Sequence, residues 1–347
     1  MANSKKLDIH LVAKHARVST ATVSRAINRV PTVSPLLAER VWRAIDELGY
    51  YPNTQARALV SGRSRTFGLV VSELTNPFFP EIVQVFESIA VQNQYEILLA
   101  STMDDPELVK KLVRRMLERR VDGVAVMTFG MEDALLEDLQ IREIPLVFVD
   151  VGPSRPRISN IRIDYLSGIR QAMQHLVSLG HRRIGFISGP QKQRTARARI
   201  AAYRQCTEEL GLTELGLPPD AGLVVEGDHT MEGGREACGK LFACGKQPTA
   251  ILCSNDMTAL GVMRKSYEDG IAIPRDLSVV GFDDIRIAKY ILPPLTTVQM
   301  SQAELARIAF EALLNEVNRD NPLPEGSNCE LKTSLVIRES TAEARKS

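Results

Sequence analysis

The run Ser19-Thr20-Ala21-Thr22-Val23-Ser24-Arg25-Ala26-Ile27-Asn28 places a guanidinium, several hydroxyls and an amide at helical spacing around two apolar residues four apart. Arg25 can make a bidentate contact to a guanine edge, while Thr20 and Ala21 are small enough to let a helix sit deep, with methyl groups against thymine. Thr22, Ser24 and Asn28 are better placed to bond phosphates, and Ser19 has the chemistry of a helix cap. This is the chemistry of reading a duplex. Residues for transforming a substrate are not apparent: there is no GxSxG, no GxxxxGK[ST] and no HExxH, and the five histidines (His10, His15, His175, His181, His229) are dispersed along the chain. The five cysteines (Cys206, Cys238, Cys244, Cys253, Cys329) are odd in number and lack CxxC spacing. They read as reduced thiols of a cytoplasmic protein, so neither a disulfide frame, a metal site nor a cofactor is expected.

Three short helices must position these groups. Asp8 caps a first segment with Ile9, Val12, Ala13 and Ala16 on one face. Ser19 caps the second, in which Val23 and Ile27 lie four apart. Ser34 and Pro35 open a third, striped by Leu37, Val41, Ala44, Ile45 and Leu48 and ended by Gly49. With a tight turn at Arg17–Ser19, the trio predicts a helix-turn-helix whose second helix enters the major groove. Charge agrees. Residues 1–65 hold eleven Lys/Arg against four acids, a net +7, which leaves −6 on the rest of a chain totalling +1. A basic head on an acidic body predicts a polyanion partner for the head alone.

Beyond residue 65, short apolar runs (FGLVV, YEILLA, GVAVM, LVFVD, RIGFIS, AILCS, LSVVGF) alternate with helical stretches such as PEIVQVFESIAVQN, DPELVKKLVRRMLERR and YLSGIRQAMQHLVSLG. The alternation predicts doubly wound α/β structure. Ligands of such sheets bind beyond the carboxyl ends of the strands. The N-terminus carries no apolar core of signal-peptide length, and no run of about 18 apolar residues predicts a membrane span.

The runs VSTATVSRAIN and VSPLLAERVWRAIDELGYYPNTQARAL resemble the headpiece and hinge of the lactose/galactose repressor family. The likeness continues through NPFF, LGHRRIGFISGP, SND, GFDD, PPLTTV and LVIRES, and so spans nearly the whole chain. It implies a helix-turn-helix headpiece at residues 1–51, a hinge at 52–65 and a body at 66–347. The body would be similar to periplasmic sugar-binding proteins, with one subdomain at about 66–160 and 291–325 and another at about 161–290 and 326–340. Crossings would fall near Asn160, Tyr290 and Glu325. The hinge, from Asn53 to Val60, would fold into a short helix on the operator, with Ala56 allowing two such helices to approach and Leu59 wedging the minor groove. An apolar wedge kinks DNA at the cost of unstacking, and so short a helix is not stable alone.

The resemblance places the effector cleft at Ser72, Phe78, Phe79, Asp150, Thr195, Arg199, His229, Asn255 and Asp283. Their chemistry suits a polyhydroxylated ligand: Asp150 and Asp283 accept, Arg199 and Asn255 donate, and Phe79 stacks on a ring face. Phe78 suits core or ligand equally, and Asp284, with Asp256, is read as capping the next segment. Departures from the family pattern stand at Leu11, often Asp; at His229, often a large aromatic; and at Ala202, often Gly. Arg194 and Arg197 add charge near Arg199, but helical spacing turns them partly away. The resulting expectation is a homodimeric, DNA-binding regulator of double-stranded operator DNA, controlled by a small carbohydrate-like effector. An enzyme lacks its motif, a periplasmic carrier lacks its signal peptide, and an architectural DNA binder needs no such body.

Overall fold

The computed structural model describes residues 7–28, 30–51, 62–103, 105–128, 144–150, 156–212, 223–243, 247–319 and 326–345. Asn53, Ala56 and Leu59 therefore lie outside the described residues, as does Glu325. The chain divides into two compact units, Met1–Arg65 and Thr66–Ser347.

The first unit contains α1 (Ile9–Ala16), α2 (Thr20–Ile27) and α3 (Pro35–Leu48). Local signals set its boundaries. Asp8 Oδ1 accepts from Leu11 N at 3.0 Å, and Ser19 Oγ accepts from Thr22 N at 3.1 Å. Ser34 stands at the N-cap of α3 in extended backbone but makes no side-chain cap bond, so Pro35 alone supplies the start signal there. Gly49 ends α3 in the left-handed region at φ 60°, and Arg17 ends α1 at φ 53°. Val12, Ala13, Ala16, Val23, Ala26, Val41, Ala44 and Ile45 bury one another in a small separate core.

A contact not foreseen from the sequence ties α3 to the turn. Arg40 Nη2 donates to the carbonyl of Ala16 at 2.6 Å, satisfying a terminal acceptor of α1 and placing a cation at its negative end. Arg40→Ala is expected to destabilise this unit by about 1–3 kcal/mol, the range for a lost charge-assisted bond. The chain's single tryptophan, Trp42, lies in α3, so its fluorescence during denaturation reports this unit.

The second unit has two six-stranded sheets. The first comprises β1 (Thr66–Val71), β2 (Glu96–Ser101), β3 (Gly123–Met127), β4 (Leu146–Val149), β5 (Ile158–Asp164) and β11 (Asn328–Lys332), in the order β11-β5-β4-β3-β1-β2, all parallel. The second comprises β6 (Ile184–Ser188), β7 (Val224–Glu226), β8 (Ala250–Cys253), β9 (Ser278–Asp283), β10 (Thr296–Gln299) and β12 (Ser334–Val336), in the order β12-β10-β9-β8-β6-β7, with only β12 antiparallel. Helices α4 (Phe78–Gln92) and α10 (Gln302–Val317) pack together beside the first sheet, and α5 (Pro106–Glu118) packs on β1. With the second sheet go α6 (Tyr165–Ser178), α7 (Arg194–Glu209), α8 (Met231–Ala243) and α9 (Asp256–Glu268). This is the doubly wound α/β architecture that the alternation predicts.

The chain crosses between sheets later than the expected points near Asn160, Tyr290 and Glu325. Strand β5 stays in the first sheet through Asp164, because it is sandwiched between β4 and β11 and buries Ile158, Ile161 and Ile163. Strand β10 still belongs to the second sheet, paired to β9 through Gln299. Strand β11 pairs with β5 up to Lys332, so the third crossing is Thr333. There the Thr333 hydroxyl donates to the carbonyl of Asp164 at 2.6 Å and accepts from Gly168 N at 3.0 Å, fastening the third crossing to the first. Gly168 permits this approach, since a Cβ there would lie 2.4 Å from the Thr333 hydroxyl.

Candidate functional site

Helix α2 turns outward the face predicted to read bases. Ala21 and Arg25 are exposed, while Thr20, Thr22, Ser24 and Asn28 are half-buried. The Thr22 hydroxyl lies 2.9 Å from Ser19 Oγ, so these two share one cap and present a joined hydroxyl pair at the N-terminus of α2. Asn28 is the C-cap residue of α2, a turn beyond Arg25's neighbours.

The second site is a small pocket, with a cavity volume of about 40 Å³, between the two sheets of the body at the carboxyl ends of their strands. Ser72, Phe78 and Phe79 reach it from the first sheet; Thr195, Arg199, His229, Asn255 and Asp283 reach it from the second. Glu73, Asn76 and Gln193 join them. Asn76 opens the NPFF run, whereas Glu73 and Gln193 carry no motif of their own, and only their adjacency to Ser72 and Thr195 could have marked them. Phe78 and Phe79 meet edge to face at 5.4 Å and are both core and lining, which joins the two readings of Phe78.

Asp150 is not among the lining residues. Its Oδ2 accepts from the Tyr165 hydroxyl at 2.6 Å and its Oδ1 from Ile163 N at 2.9 Å. Burial pushes its carboxyl above the usual range, against the opposing pull of those two bonds and of Arg199. Asp150 thus orients Tyr165, whose ring lies 4.9 Å from the Arg199 guanidinium carbon; Phe282 lies 4.5 Å away. Arg199 is held by these rings and by its own donation to the Ser254 carbonyl at 2.8 Å. Tyr165 and Phe282 are supports that the sequence reading missed, because a ring's partner across a fold leaves no local pattern.

Arg199 Nη2 stands 3.9 Å from Asp283 Oδ1, an ion pair too long for a hydrogen bond. Burial pushes the Asp283 carboxyl up to about 7, with Arg199 pulling the other way. His229, at φ 70°, packs its ring against Gly189, where a Cβ would lie 1.9 Å from Nε2. Burial, and then Arg199, push its imidazole down to about 3, so it is neutral at pH 7. Its Nδ1 lies 3.2 Å from Ser254 Oγ, and its carbonyl accepts from Asn255 Nδ2 at 3.0 Å. Asn255 also caps α9, accepting from Thr258 N at 2.8 Å.

Three lining polar atoms are buried without a partner among the described residues: Gln193 Oε1, Thr195 Oγ1 and Arg199 Nε. An unmet buried donor or acceptor costs the desolvation of that group. All three belong to residues that line this one cavity together with Asp283.

Asp256 and Asp284 do not serve as caps. Asp256 takes the Thr297 hydroxyl at 2.5 Å and Ile285 N at 2.8 Å, binding β10 and the segment after β9 to the start of α9. Asp284 pairs with Arg338 at 2.6 Å and accepts from Gln299 at 2.9 Å. The nearby Arg197 donates to the carbonyls of Gln191 and Lys192, both at 2.8 Å, so it closes a loop and does not charge the pocket.

Comparison with known proteins agrees with this architecture. Residues 8–53 match the family of bacterial regulatory proteins called lacI, and residues 173–341 match the periplasmic binding protein-like domain. The chain is similar to catabolite control protein A of Priestia megaterium, 33% identical over 334 residues, covering 96% of this chain and 98% of the relative. It is 34% identical over 307 residues to the HTH-type transcriptional repressor PurR of Aliivibrio salmonicida, covering 88% and 91%. A structure of the lac repressor dimer bound to operator and the anti-inducer ONPF superposes with a TM-score of 0.84 at 29% identity, covering 97% of this chain and all of that one. The capped reading helix, the paired sheets with their pocket and these full-length likenesses agree: the chain belongs to the lacI family of bacterial transcription regulators.

Proposed function

We propose that the protein is a cytoplasmic, homodimeric repressor that binds a pseudopalindromic operator and is controlled by a sugar or sugar derivative in the pocket between its sheets. The single observation that carries the effector reading is the set of unpartnered buried atoms, Gln193 Oε1, Thr195 Oγ1 and Arg199 Nε, on residues that line the pocket with Asp283. A vicinal diol matches them: its hydroxyls donate to Asp283 and Gln193, and its oxygens accept from Arg199 and Thr195. Phe79 supplies the apolar wall on which a ring face rests. Neutral His229 adds a hydrogen-bonding edge without charge.

Dimerisation is supported by apolar surface that the monomer leaves open. Strand β2 is a half-exposed sheet edge with Leu99 outward, and Ile287, Tyr290 and Leu292 stand exposed at the second sheet, Leu292 at 91%. Two copies related by a twofold axis would set two α2 helices on two half-sites. Effector binding at a pocket built from both sheets favours one arrangement of them over another, and DNA affinity follows by linkage. Asn53, Ala56 and Leu59 would carry the change to the minor groove.

The test has two arms. Arg25→Ala is expected to relax discrimination at one base pair of each half-site by about 1–3 kcal/mol, read from binding to a set of single-base operator variants. Titration calorimetry with monosaccharides, sugar phosphates and nucleobases is expected to give a ligand among the sugars whose addition changes operator affinity. Unchanged base preference in the Arg25 variant would overturn the reading helix, and a ligand that binds equally well without Asp283 and Arg199 would overturn the pocket.

A further inference from the structure

The first sheet of the body has two ends. The carboxyl ends of its strands face the pocket, and the opposite end receives the chain at Thr66. At that opposite end three arginines occupy left-handed backbone: Arg65 at φ 53°, Arg120 at φ 56° and Arg157 at φ 61°. Each stands just ahead of a strand, Arg65 before β1, Arg120 before β3 and Arg157 before β5. Asp122 N donates to the Thr66 carbonyl at 2.8 Å, and Leu146 N to the Arg157 carbonyl at 2.8 Å, so the entries of β1, β3, β4 and β5 lie side by side.

Glycine or asparagine is the usual occupant of such backbone, and arginine, with a Cβ and no short polar group to bond locally, brings no relief to it. The Arg120 side chain is exposed and that of Arg157 half-buried, and among the described residues neither makes an ion pair; nor does exposed Arg119, the C-cap of α5. Cations held at strained backbone without an ion pair are available to a partner outside the fold. The sign of the charge is also against the trend, since the chain beyond residue 65 is net acidic. Glu96, in register with Thr66, and Glu118 and Asp122 share this end. Adjacent strands lie about 4.8 Å apart, so the entries from β1 to β5, three places along the sheet, span roughly 14 Å. A duplex presents one phosphate charge per ~1.7 Å of axis, so such a row can face several.

We propose that Arg119, Arg120 and Arg157 form a rim on the body that binds phosphates of the operator backbone, a contact additional to those of the reading helix. The inference rests on the DNA-binding reading above. The chain enters the body at this same end of the sheet, through Arg65 and Thr66, so the covalent path from the reading helix to the body finishes beside the rim and not beside the pocket. The rim's contacts carry no sequence information and set affinity and register.

The test uses the full chain with Arg119→Ala, Arg120→Gly and Arg157→Gly combined, beside a control with Arg235→Ala, Arg264→Ala and Arg275→Ala, which removes the same charge from the second sheet's side of the body. Affinity for operator and for unrelated duplex is measured over roughly 50–200 mM salt. The rim variant is expected to flatten the slope of log K against log salt by about 0.9 per lost contact, about 2–3 per protomer, on both DNAs, while the control keeps the wild-type slope. Because glycine relieves the backbone at two of the three sites, the rim variant is expected to melt no lower than wild type. A rim slope equal to wild type, or an equal flattening in rim and control, overturns the proposal. Loss of operator preference in the wild type itself would instead overturn the DNA-reading assignment, leaving the slopes on unrelated duplex to judge the rim.

Discussion

Asp283→Asn is expected to make the protein more stable above pH 7 and to abolish its response to the effector. The carboxyl of Asp283 is buried with Arg199 at 3.9 Å and carries a raised pKa of about 7 against an ordinary 3.8. Between these two values the unfolded chain has released a proton that the folded chain keeps, so stability falls as pH rises from about 4 to about 7 and is level above. The cost by pH 8 is of order 4 kcal/mol, because each tenfold weakening of the carboxyl's acidity is worth about 1.4 kcal/mol. His229 works in the opposite direction: its imidazole is pushed down to about 3 against 6.5, so its contribution is complete above pH 6.5 and is lost as pH falls towards 3. From pH 4 to 6.5 the two slopes oppose each other. Wild-type stability is therefore expected to vary little there, whereas Asp283→Asn should expose the His229 slope and gain stability with rising pH. Urea unfolding at pH 4.5, 6 and 8 reads this directly, with calorimetry for the ligand. A wild-type stability equal to that of the variant at pH 8 would refute the burial cost assigned to Asp283. The pocket thus holds an acceptor at the expense of stability, one that the hydroxyl of the proposed effector would satisfy.

Arg199→Ala is expected to be the most damaging change to the body, at about 3–5 kcal/mol, the range for breaking a buried pair from one side. It removes the donor to the Ser254 carbonyl and the cation between Tyr165 and Phe282, and it leaves Asp283 without its opposing charge. Asp150, which holds Tyr165 in place, would then orient a ring with nothing to support. Arg199→Met separates packing from recognition: it refills much of the volume and is expected to regain part of the stability, but not the ligand. Effector affinity should fall at least about 100-fold in both variants, since a charge-assisted contact and a buried acceptor's partner are lost together. Retention of near wild-type affinity in Arg199→Met would exclude Arg199 as a ligand contact. Denaturant unfolding followed by far-UV circular dichroism measures the body, while Trp42 fluorescence serves as an internal control that should not move.

The helix-turn-helix was legible from the sequence because its determinants are local. Asp8 and Ser19 cap within three residues of themselves, Pro35 presets its own φ, and Gly49 supplies its own left-handed turn. The seven strands read from apolar runs are those buried inside the sheets or, for β2, apolar enough to announce themselves. Strands β5, β7, β10, β11 and β12 were not, because they are short or interleave polar residues, as in Ile158-Ser159-Asn160-Ile161-Arg162-Ile163-Asp164. What makes them strands is pairing with segments far away in the chain, Asn160 with Asn328 and Thr297 with Val336. The same pairing moved the crossings to Asp164, Gln299 and Thr333, where single hydrogen bonds and a glycine decide how closely two sheets approach.

The cleft positions were reachable through family resemblance, but their division of labour was not. Side-chain type alone made Asp150 and Asp283 equivalent acceptors. Tertiary structure separated them, giving Asp150 two donors of its own and leaving the carboxylate of Asp283, among the described residues, with a distant cation. It likewise turned Asp256 and Asp284 from caps into ties between segments 29 and 54 residues distant in sequence. By itself the sequence determined a helix-turn-helix, a basic head and a doubly wound α/β body. Only the fold decided which polar atoms are buried without a partner, because that depends on every neighbour brought in from elsewhere in the chain, and the proposed effector site rests on those atoms.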